Sequence, residues 1–207
     1  MSVVLHLGVE MVDESTSEEA IENIAERYRA LLDEDSAVPV LAEAHYRLGL
    51  YALIQQRDIV QATHHFQESA GLKDPFWSQA ARTSLAICLY RQGKAQKALF
   101  EFRKVGLSEK VTVHSVNALL MMGRILRDDG DSEESERAFS EGLKRIRQEL
   151  QNPQHDQKEW LVLGFAFALE CGASEELATW SESLRGYSSD DLPPGVRHQL
   201  EALQHDG

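Results

Sequence analysis

The sequence predicts an all-α fold built from helical hairpins, and three observations lead to this prediction. Apolar residues recur at intervals of three and four through most of the 207 residues, which is the period of an amphipathic helix. No segment shows the sustained polar–apolar alternation of a strand. Small residues follow Leu or Met at four places, whose spacings of 37, 37 and 41 residues fall in the range of helical-hairpin repeats. These small residues are Gly49, Ala86, Gly123 and Gly164.

The first element of the predicted fold is a helix that precedes the hairpins. Residues 1–16 are expected to form an N-terminal arm, and their pattern leaves open a short strand, a disordered arm or an added packing segment. A helix is predicted over 17–34, because Ser15 or Thr16 can form a capping box with a Glu three residues later. An acidic run and Pro39 follow, and they are expected to end this helix.

Four helical hairpins are expected next, separated by turn signals. Asp74 and Pro75 open the second hairpin as cap and first helical residue, and Gly130 supplies a left-handed turn residue in the third. A repeat domain is therefore predicted over 17–187, followed by a loop and a C-terminal capping helix within 188–207. The predicted helices are 41–56 with 59–71, 75–92 with 95–106, 111–128 with 132–150, 156–171 with 174–186, and a last helix over 195–204.

A second anchor follows each small residue after about a dozen positions, and three of these anchors have an aromatic residue four positions later. A small residue is needed where the two helices of a hairpin cross, since a large side chain would separate the backbones there. We expect each aromatic ring to fill the space between successive hairpins. The second anchors are Ala62, Ala98, Ser135 and Leu177, and the aromatic residues are Phe66, Phe102 and Phe139.

Together these residues resemble the tetratricopeptide repeat, whose pattern is W-x2-L-G-x2-Y, then A-x3-F, then P. The fourth hairpin matches the first half of this pattern at Trp160, Leu163, Gly164 and Phe167. The resemblance implies a right-handed α-solenoid of about four such hairpins, with an extra N-terminal helix and a C-terminal capping helix. An irregular helical bundle or another hairpin repeat is the alternative.

The fourth hairpin departs from the pattern in its second half. Leu177 and Ser181 stand where a small and an aromatic residue are expected. We therefore expect the second helix of this hairpin to pack differently from the others.

The resemblance also implies a peptide-binding groove, because in that family the first helix of each repeat lines the concave surface. A basic rim on this groove suits a partner with apolar anchors and acidic flanks. The alternatives left open are that the Leu and Ile residues only complete the core and that the Arg residues are solvated or form i,i+4 pairs. The groove positions are Tyr46, Leu50, Leu53, Thr83, Ile87, Tyr90, Arg91, Asn117, Leu120, Arg124, Arg127, Lys158, Leu161 and Phe165.

The charge of the chain argues against nucleic-acid binding. The net charge is −13, from 34 acidic and 21 basic residues, and such an excess repels phosphate backbones. The acidic residues concentrate toward the ends, since residues 1–40 carry −8 and residues 151–207 carry −7, whereas residues 41–110 carry +4. An acidic protein partner is compatible with this basic centre.

The expected location is the cytoplasm. The apolar start has no positive flank and is shorter than a signal peptide requires, and no apolar run reaches about 18 residues, so no membrane span is expected. Cys88 and Cys171 lie within apolar helical patterns, which is typical of buried cysteines in a reducing compartment.

No catalytic motif, cofactor or metal site is predicted. His64 and His65 are adjacent in a predicted helix, so their side chains point about 100° apart and cannot easily share one tetrahedral ion. His45 occupies the tryptophan position of the repeat and is expected to pack between helices. Phosphate-loop, serine-hydrolase, zinc-protease and C-x-x-C motifs are all missing from the sequence.

We therefore expect a non-catalytic protein–protein interaction scaffold, an adaptor or a chaperone, that binds a peptide or helix of a partner. The alternative is a module that self-associates through exposed helices or residues 1–16, since an acidic repeat-only protein of this size also resembles secretion or pilus-assembly chaperones. A hydrolase or metal enzyme is a third hypothesis, to be tested by elemental analysis.

Overall fold

The computed structural model describes residues 18–154 and 156–205, and within these ranges it contains ten α-helices and no strand. The predicted all-α helical repeat is confirmed. The arm at 1–16 and the capping box at Ser15 or Thr16 lie outside the described residues. The rest of the chain divides after Leu107 into two compact units, which we call the first and the second unit.

The first unit consists of five helices. A leading helix packs on the first of two hairpins, and the second helix of that hairpin packs on the first helix of the next. The first helices of the two hairpins are also in contact. The helices are α1 (Glu18–Asp33), α2 (Val38–Ile54), α3 (Ile59–Gly71), α4 (Trp77–Arg91) and α5 (Ala95–Gly106).

The second unit repeats this packing order with two further hairpins and a terminal helix that contacts the first helix of the last hairpin. A short 3-10 turn at Ser189–Asp191 precedes the terminal helix. In the described part of the chain no helix is both long enough and apolar enough to span a bilayer. The helices are α6 (Val113–Asp128), α7 (Ser132–Leu150), α8 (Gln157–Cys171), α9 (Ser174–Arg185) and α10 (Pro194–His205).

Three helix starts differ from the prediction by two residues or more. Helix α6 begins at Val113, two residues late, and prolines are involved in the other two. Helix α2 begins at Val38, three residues early, because Pro39 lies in its first turn, where no backbone N–H is needed. Helix α4 begins at Trp77 rather than at Pro75. The carboxylate of Asp74 accepts hydrogen bonds from the backbone N–H groups of Phe76 and Trp77, at 2.9 and 2.8 Å, so Asp74 caps this end as expected.

Each hairpin turn contains one residue with left-handed backbone, and it lies seven or eight positions after the small residue of the preceding helix. In three hairpins this residue is glycine: Gly93 (φ 74°), Gly130 (φ 86°) and Gly172 (φ 68°). In the first hairpin it is Arg57, with φ 55°. A residue with a Cβ is strained in this region, so Arg57 is the exception among the four turns.

The small residues in the first helices of the hairpins lie against aromatic rings of the second helices. A Cβ added to Gly49 would lie 2.6 Å from a ring carbon of Phe66, and a Cβ on Gly123 would collide with the ring of Phe139. Phe66 and Phe139 therefore pack inside their own hairpins, which corrects the expectation that these rings fill the space between successive hairpins. Phe139 also reaches the next hairpin, where its ring lies edge-on to Phe167 at 6.3 Å.

The fourth hairpin follows the same rule through a residue that the sequence analysis missed. Trp180 packs on Gly164, where an added Cβ would lie 2.8 Å from a carbon of the indole. Trp180 is 16 positions after Gly164, the same separation as between Gly123 and Phe139. The aromatic position of this hairpin is therefore Trp180, one residue before the expected position at Ser181, and its ring contacts the small residue as Phe66 and Phe139 do in their hairpins.

Candidate functional site

The first unit brings five of the predicted groove residues to an accessible surface. Leu50, Leu53 and Ile87 are half-buried, Tyr90 is 36% exposed and Arg91 is exposed. Leu50 and Leu53 belong to α2, whereas Ile87, Tyr90 and Arg91 belong to the neighbouring α4. We call these five residues the α2–α4 face.

Contacts of Tyr46 set the register of α2 against α4. The phenol ring lies 5.3 Å from the ring of Trp77 and 5.8 Å from that of Phe66, measured between centroids. Burial raises the pKa of Tyr46, and this effect outweighs that of a hydrogen bond with Ser84. Leu50 and Leu53 follow Tyr46 by about one and two turns on α2, and Ile87, Tyr90 and Arg91 lie in the last two turns of α4.

Tyr46 itself and Thr83 belong to the core of the first unit. They are only 3% and 4% exposed. The Thr83 hydroxyl donates to the carbonyl oxygen of Gln79 at 2.9 Å, a bond within its own helix. A peptide could not reach either side chain without rearrangement.

The predicted groove positions of the second unit are mostly buried as well. Asn117, Leu120, Leu161 and Phe165 are 3%, 0%, 8% and 0% exposed, and Lys158 is half-buried. Leu120 therefore matches the alternative left open for it, core packing. The apolar groove positions therefore do not continue as an accessible surface in this unit.

The two arginines predicted for the basic rim bind a carboxylate of their own unit. Arg124 Nε lies 2.7 Å from Glu170 Oε2, and Arg127 contacts the other carboxylate oxygen and the Glu170 carbonyl oxygen. Burial favours the protonated form of Glu170, but the hydrogen bonds from Arg127 and Arg124 outweigh it and lower its pKa. Both arginines therefore join α6 to the end of α8, a role that the sequence analysis did not foresee.

The second unit also has a cleft that sequence reasoning missed. Its volume is about 420 Å³, and the apolar part of its wall includes Phe139, Leu143 and Cys171. Arg127 and Arg147, which both line it, are paired with Glu170 and Glu176. In the sequence, the polar residues of α7 that line the cleft have the pattern of a solvated helix face, so the sequence gives no signal for the cleft.

Exposed apolar side chains are distributed unevenly between the units. In the described residues, the nine large apolar side chains that are most exposed all belong to the first unit. The first unit therefore has exposed apolar surface that a partner protein could cover. The nine residues are Ile24, Val38, Val40, Ile54, Val60, Phe76, Tyr90, Phe100 and Leu107.

A histidine pair joins α2 to α3. The Nδ1 atoms of His45 and His65 are 3.2 Å apart and partly buried. Burial lowers the pKa of both imidazoles, that of His65 to about 4, and the neighbouring histidine adds to the effect. His45 packs between helices as expected. In the described part of the chain, no group of three or more His, Cys, Asp or Glu side chains is arranged to hold a metal ion.

Among known proteins, this chain is similar only in its fold, to a solved structure. Neither a family model nor a curated protein matches the chain. Among solved structures, the chain is similar to the crystal structure of PilW, described as a widely conserved type IV pilus biogenesis factor. The sequence identity is 17% and the TM-score 0.46, and the alignment covers 89% of this chain and 83% of that chain. A similarity at this level is too weak to assign a function.

Proposed function

We propose that this protein is a non-catalytic interaction scaffold, an adaptor or chaperone, that holds a peptide or helix of a partner protein on the α2–α4 face. The observation that carries the proposal is the exposure of this face. Leu50, Leu53 and Ile87 keep part of their apolar surface accessible beside the exposed Arg91. The predicted apolar groove positions of the second unit are buried and its two rim arginines are paired.

The chemistry of the face defines the partner. Covering half-exposed Leu and Ile side chains contributes about 25 cal/mol for each Å² of apolar surface removed from water. Arg91 lies at the end of α4, next to Tyr90, and can pair with a carboxylate of the bound segment. The partner segment is therefore expected to have apolar anchors about one helical turn apart and an acidic residue beside them.

We also propose that the protein works in a reducing compartment such as the cytoplasm. Both cysteines are free, and burial raises the pKa of Cys88 to about 11, which keeps it an unreactive thiol. Fractionation of the native cells with antibody detection tests this, and recovery of the protein only outside the cytoplasm would contradict it.

Affinity capture from the native cells with matched charge-reversal variants tests the binding proposal. Arg91→Glu reverses the charge of the α2–α4 face at an exposed position, so the fold should survive, as circular dichroism and thermal unfolding would verify. Lys73→Glu makes the same charge change at an exposed position between α3 and α4 of the same unit, outside this face, and is the control.

At least one protein should be recovered with the wild type and with Lys73→Glu but lost with Arg91→Glu. If mass spectrometry returns the same proteins in the same amounts from all three baits, the α2–α4 face is not the binding surface.

Self-association is a second candidate function, favoured by the nine exposed apolar side chains of the first unit. Sedimentation velocity at rising protein concentration decides between the two. A sedimentation coefficient that grows with concentration would support self-association, and a constant monomer value would remove it.

A further inference from the structure

The outer surface of α5 carries two exposed apolar side chains that the proposed function does not use. Phe100 is 59% exposed and Leu107, directly after the helix, is 60% exposed. They are seven residues apart, so they lie on the same side of the helix, two turns or about 10 Å from each other. The opposite side of α5 is buried, with Ala98, Phe102 and Val105 in the core.

Comparison of the hairpins shows that the fold does not require apolar residues at these positions. Counted from the core aromatic residue of each second helix, the equivalents of Phe100 are His64, Arg137 and Ala178, and the equivalents of Leu107 are Gly71, Lys144 and Arg185. None of these six residues is a large apolar one. Large apolar residues at these two positions therefore occur in α5 alone among the four hairpins, and most of their surface lies outside the core.

The surroundings of the two apolar residues are basic, in contrast to the acidic chain as a whole. Residues 94–104 contain four basic residues and one acidic residue, whereas the complete chain has a net charge of −13. Lys104 Nζ lies over the Phe100 ring, 4.0 Å from its centroid. Lys97 is exposed one turn before Phe100.

The single acidic residue of this stretch does not neutralise it. Glu101 pairs with Lys104 at 2.8 Å and with Arg82 at 2.7 Å, so one negative charge is shared between two positive ones. A positive excess remains beside the exposed Phe and Leu side chains. Negative charge on a partner would therefore be attracted to the same surface that its apolar residues would cover.

From this combination we infer that the outer face of α5 is a second docking surface, which binds an acidic segment of a partner protein. The segment carries two apolar side chains about 10 Å apart, which cover Phe100 and Leu107, and carboxylates that face Lys97 and Lys104. This inference is independent of the α2–α4 face, because the two surfaces share no residue. A nucleic acid would also carry negative charge, but the strongly acidic chain repels it at long range.

The test measures binding of a designed acidic peptide to the full-length protein. The probe is a fluorescein-labelled helical peptide about 18 residues long, with two leucines seven positions apart and glutamates on both flanks. The control probe has lysine in place of every glutamate. Fluorescence anisotropy is recorded for the wild type and for Phe100→Ala, Leu107→Ala and Lys97→Glu.

Two variants in the same unit are the matched controls. Val60→Ala removes another exposed apolar side chain, 71% exposed on α3, and Arg91→Glu makes the same charge reversal on the α2–α4 face. All five substitutions are at exposed positions, and an unchanged circular dichroism spectrum shows that each variant is folded.

The acidic peptide should bind saturably, and more weakly as salt rises. Each of the three α5 substitutions should weaken binding about tenfold or more, whereas both controls should bind as the wild type does. The inference is overturned if the acidic peptide does not bind at millimolar concentration, if the lysine peptide binds equally well, or if Arg91→Glu rather than Phe100→Ala abolishes binding. An increase in sedimentation coefficient that Phe100→Ala removes would show that a second copy covers this face, and would also overturn it.

Discussion

Single residues with left-handed backbone close the four hairpin turns, and they differ in strain. Gly93, Gly130 and Gly172 adopt this conformation freely, because glycine has no Cβ. Arg57 adopts it at φ 55°, where a side chain costs about 1–2 kcal/mol. The turn of the first hairpin is therefore more strained than the turns of the other three hairpins.

Arg57→Gly is expected to stabilise the protein. Relief of the backbone strain outweighs the larger conformational freedom of glycine in the unfolded chain, so the gain should be roughly 0.5–1 kcal/mol. Urea unfolding followed by circular dichroism measures the change. Gly130→Ala is the reverse experiment, since no atom lies within 4 Å of an added Cβ there, and it should cost about 1 kcal/mol. Destabilisation by Arg57→Gly, or stabilisation by Gly130→Ala, would refute this interpretation of the turns.

Gly49→Ala tests the contact between a small residue and an aromatic ring. Alanine gains about 1 kcal/mol of helix propensity over glycine, but its Cβ would lie 2.6 Å from a carbon of Phe66. Overpacking of this kind costs about 1–3 kcal/mol, so a net loss of about 1 kcal/mol is expected in urea unfolding. Gly71→Ala, where nothing lies within 4 Å, is the matched control and should not destabilise.

A second substitution tests whether the loss of stability in Gly49→Ala comes from a steric clash with Phe66. In the Gly49→Ala background, Phe66→Leu should cost less than it does in the wild type, because the smaller side chain makes room for the new methyl group. Additive losses would mean that the ring does not press on this position.

Contacts between elements give the first unit a dependence on pH. His45 on α2 and His65 on α3 face each other, with His64, Glu68 and Arg29 as the other charged or titratable groups that act on His65. Both imidazoles have a lowered pKa in the folded chain. The unfolded chain therefore binds more protons below pH 6.5, and stability must fall as the pH falls.

The expected loss lies between pH 6.5, the ordinary value for histidine, and about 4, the pKa of His65. It should amount to roughly 1–2 kcal/mol, because partial exposure weakens the effect. Urea unfolding of the wild type and of His65→Gln at pH 7.5 and pH 5 measures it. The difference between the two pH values should shrink in His65→Gln and stay the same in His198→Gln, an exposed control. Equal slopes for all three proteins would show that the pair does not couple stability to pH.

The second unit depends on an ion pair between elements. Glu170 on α8 holds Arg124 and Arg127 of α6, and it is partly buried. Glu170→Gln keeps the shape but removes the charge, which should cost about 1–3 kcal/mol in urea unfolding. Glu182→Gln breaks an exposed pair with Arg185 at 3.0 Å and should change stability by less than about 1 kcal/mol. Equal effects of the two substitutions would contradict the role given to Glu170.

At the scale of elements, the helices were predictable and their outward faces were not. Nine of the ten described helices begin within two residues of the predicted position. Residues such as Asp58, Asp131 and Asp156 mark these starts in the sequence, because their side chains accept local hydrogen bonds from backbone N–H groups. The start of α2 was predicted three residues too late, because proline can end one helix or lie in the first turn of the next, as Pro39 does.

The candidate site was harder to predict for a physical reason. A stripe of apolar residues shows that one face of a helix is covered, but it does not distinguish a neighbouring helix from a partner. Leu120 and Leu53 are both leucines at predicted groove positions, yet Leu120 is buried and Leu53 is only half-buried. Likewise, the residues around Arg124 in the sequence do not indicate that it pairs with Glu170, which is 46 positions later.

The two units differ in the apolar surface that they expose. In the described residues, the nine most exposed large apolar side chains all belong to the first unit, and the arginines of the predicted rim in the second unit are paired. Two compact units of the same hairpin type therefore differ in what they offer to other molecules. This difference is the basis for placing a partner on the first unit.

Hydrogen–deuterium exchange of the full-length protein, with and without the partner recovered by affinity capture, tests this placement most directly. Slower exchange is expected on binding in α2 and α4, the helices that carry Leu53 and Arg91, with little change in α6 and α8. Protection of α6 and α8 together with unchanged exchange in α2 and α4 would contradict the account.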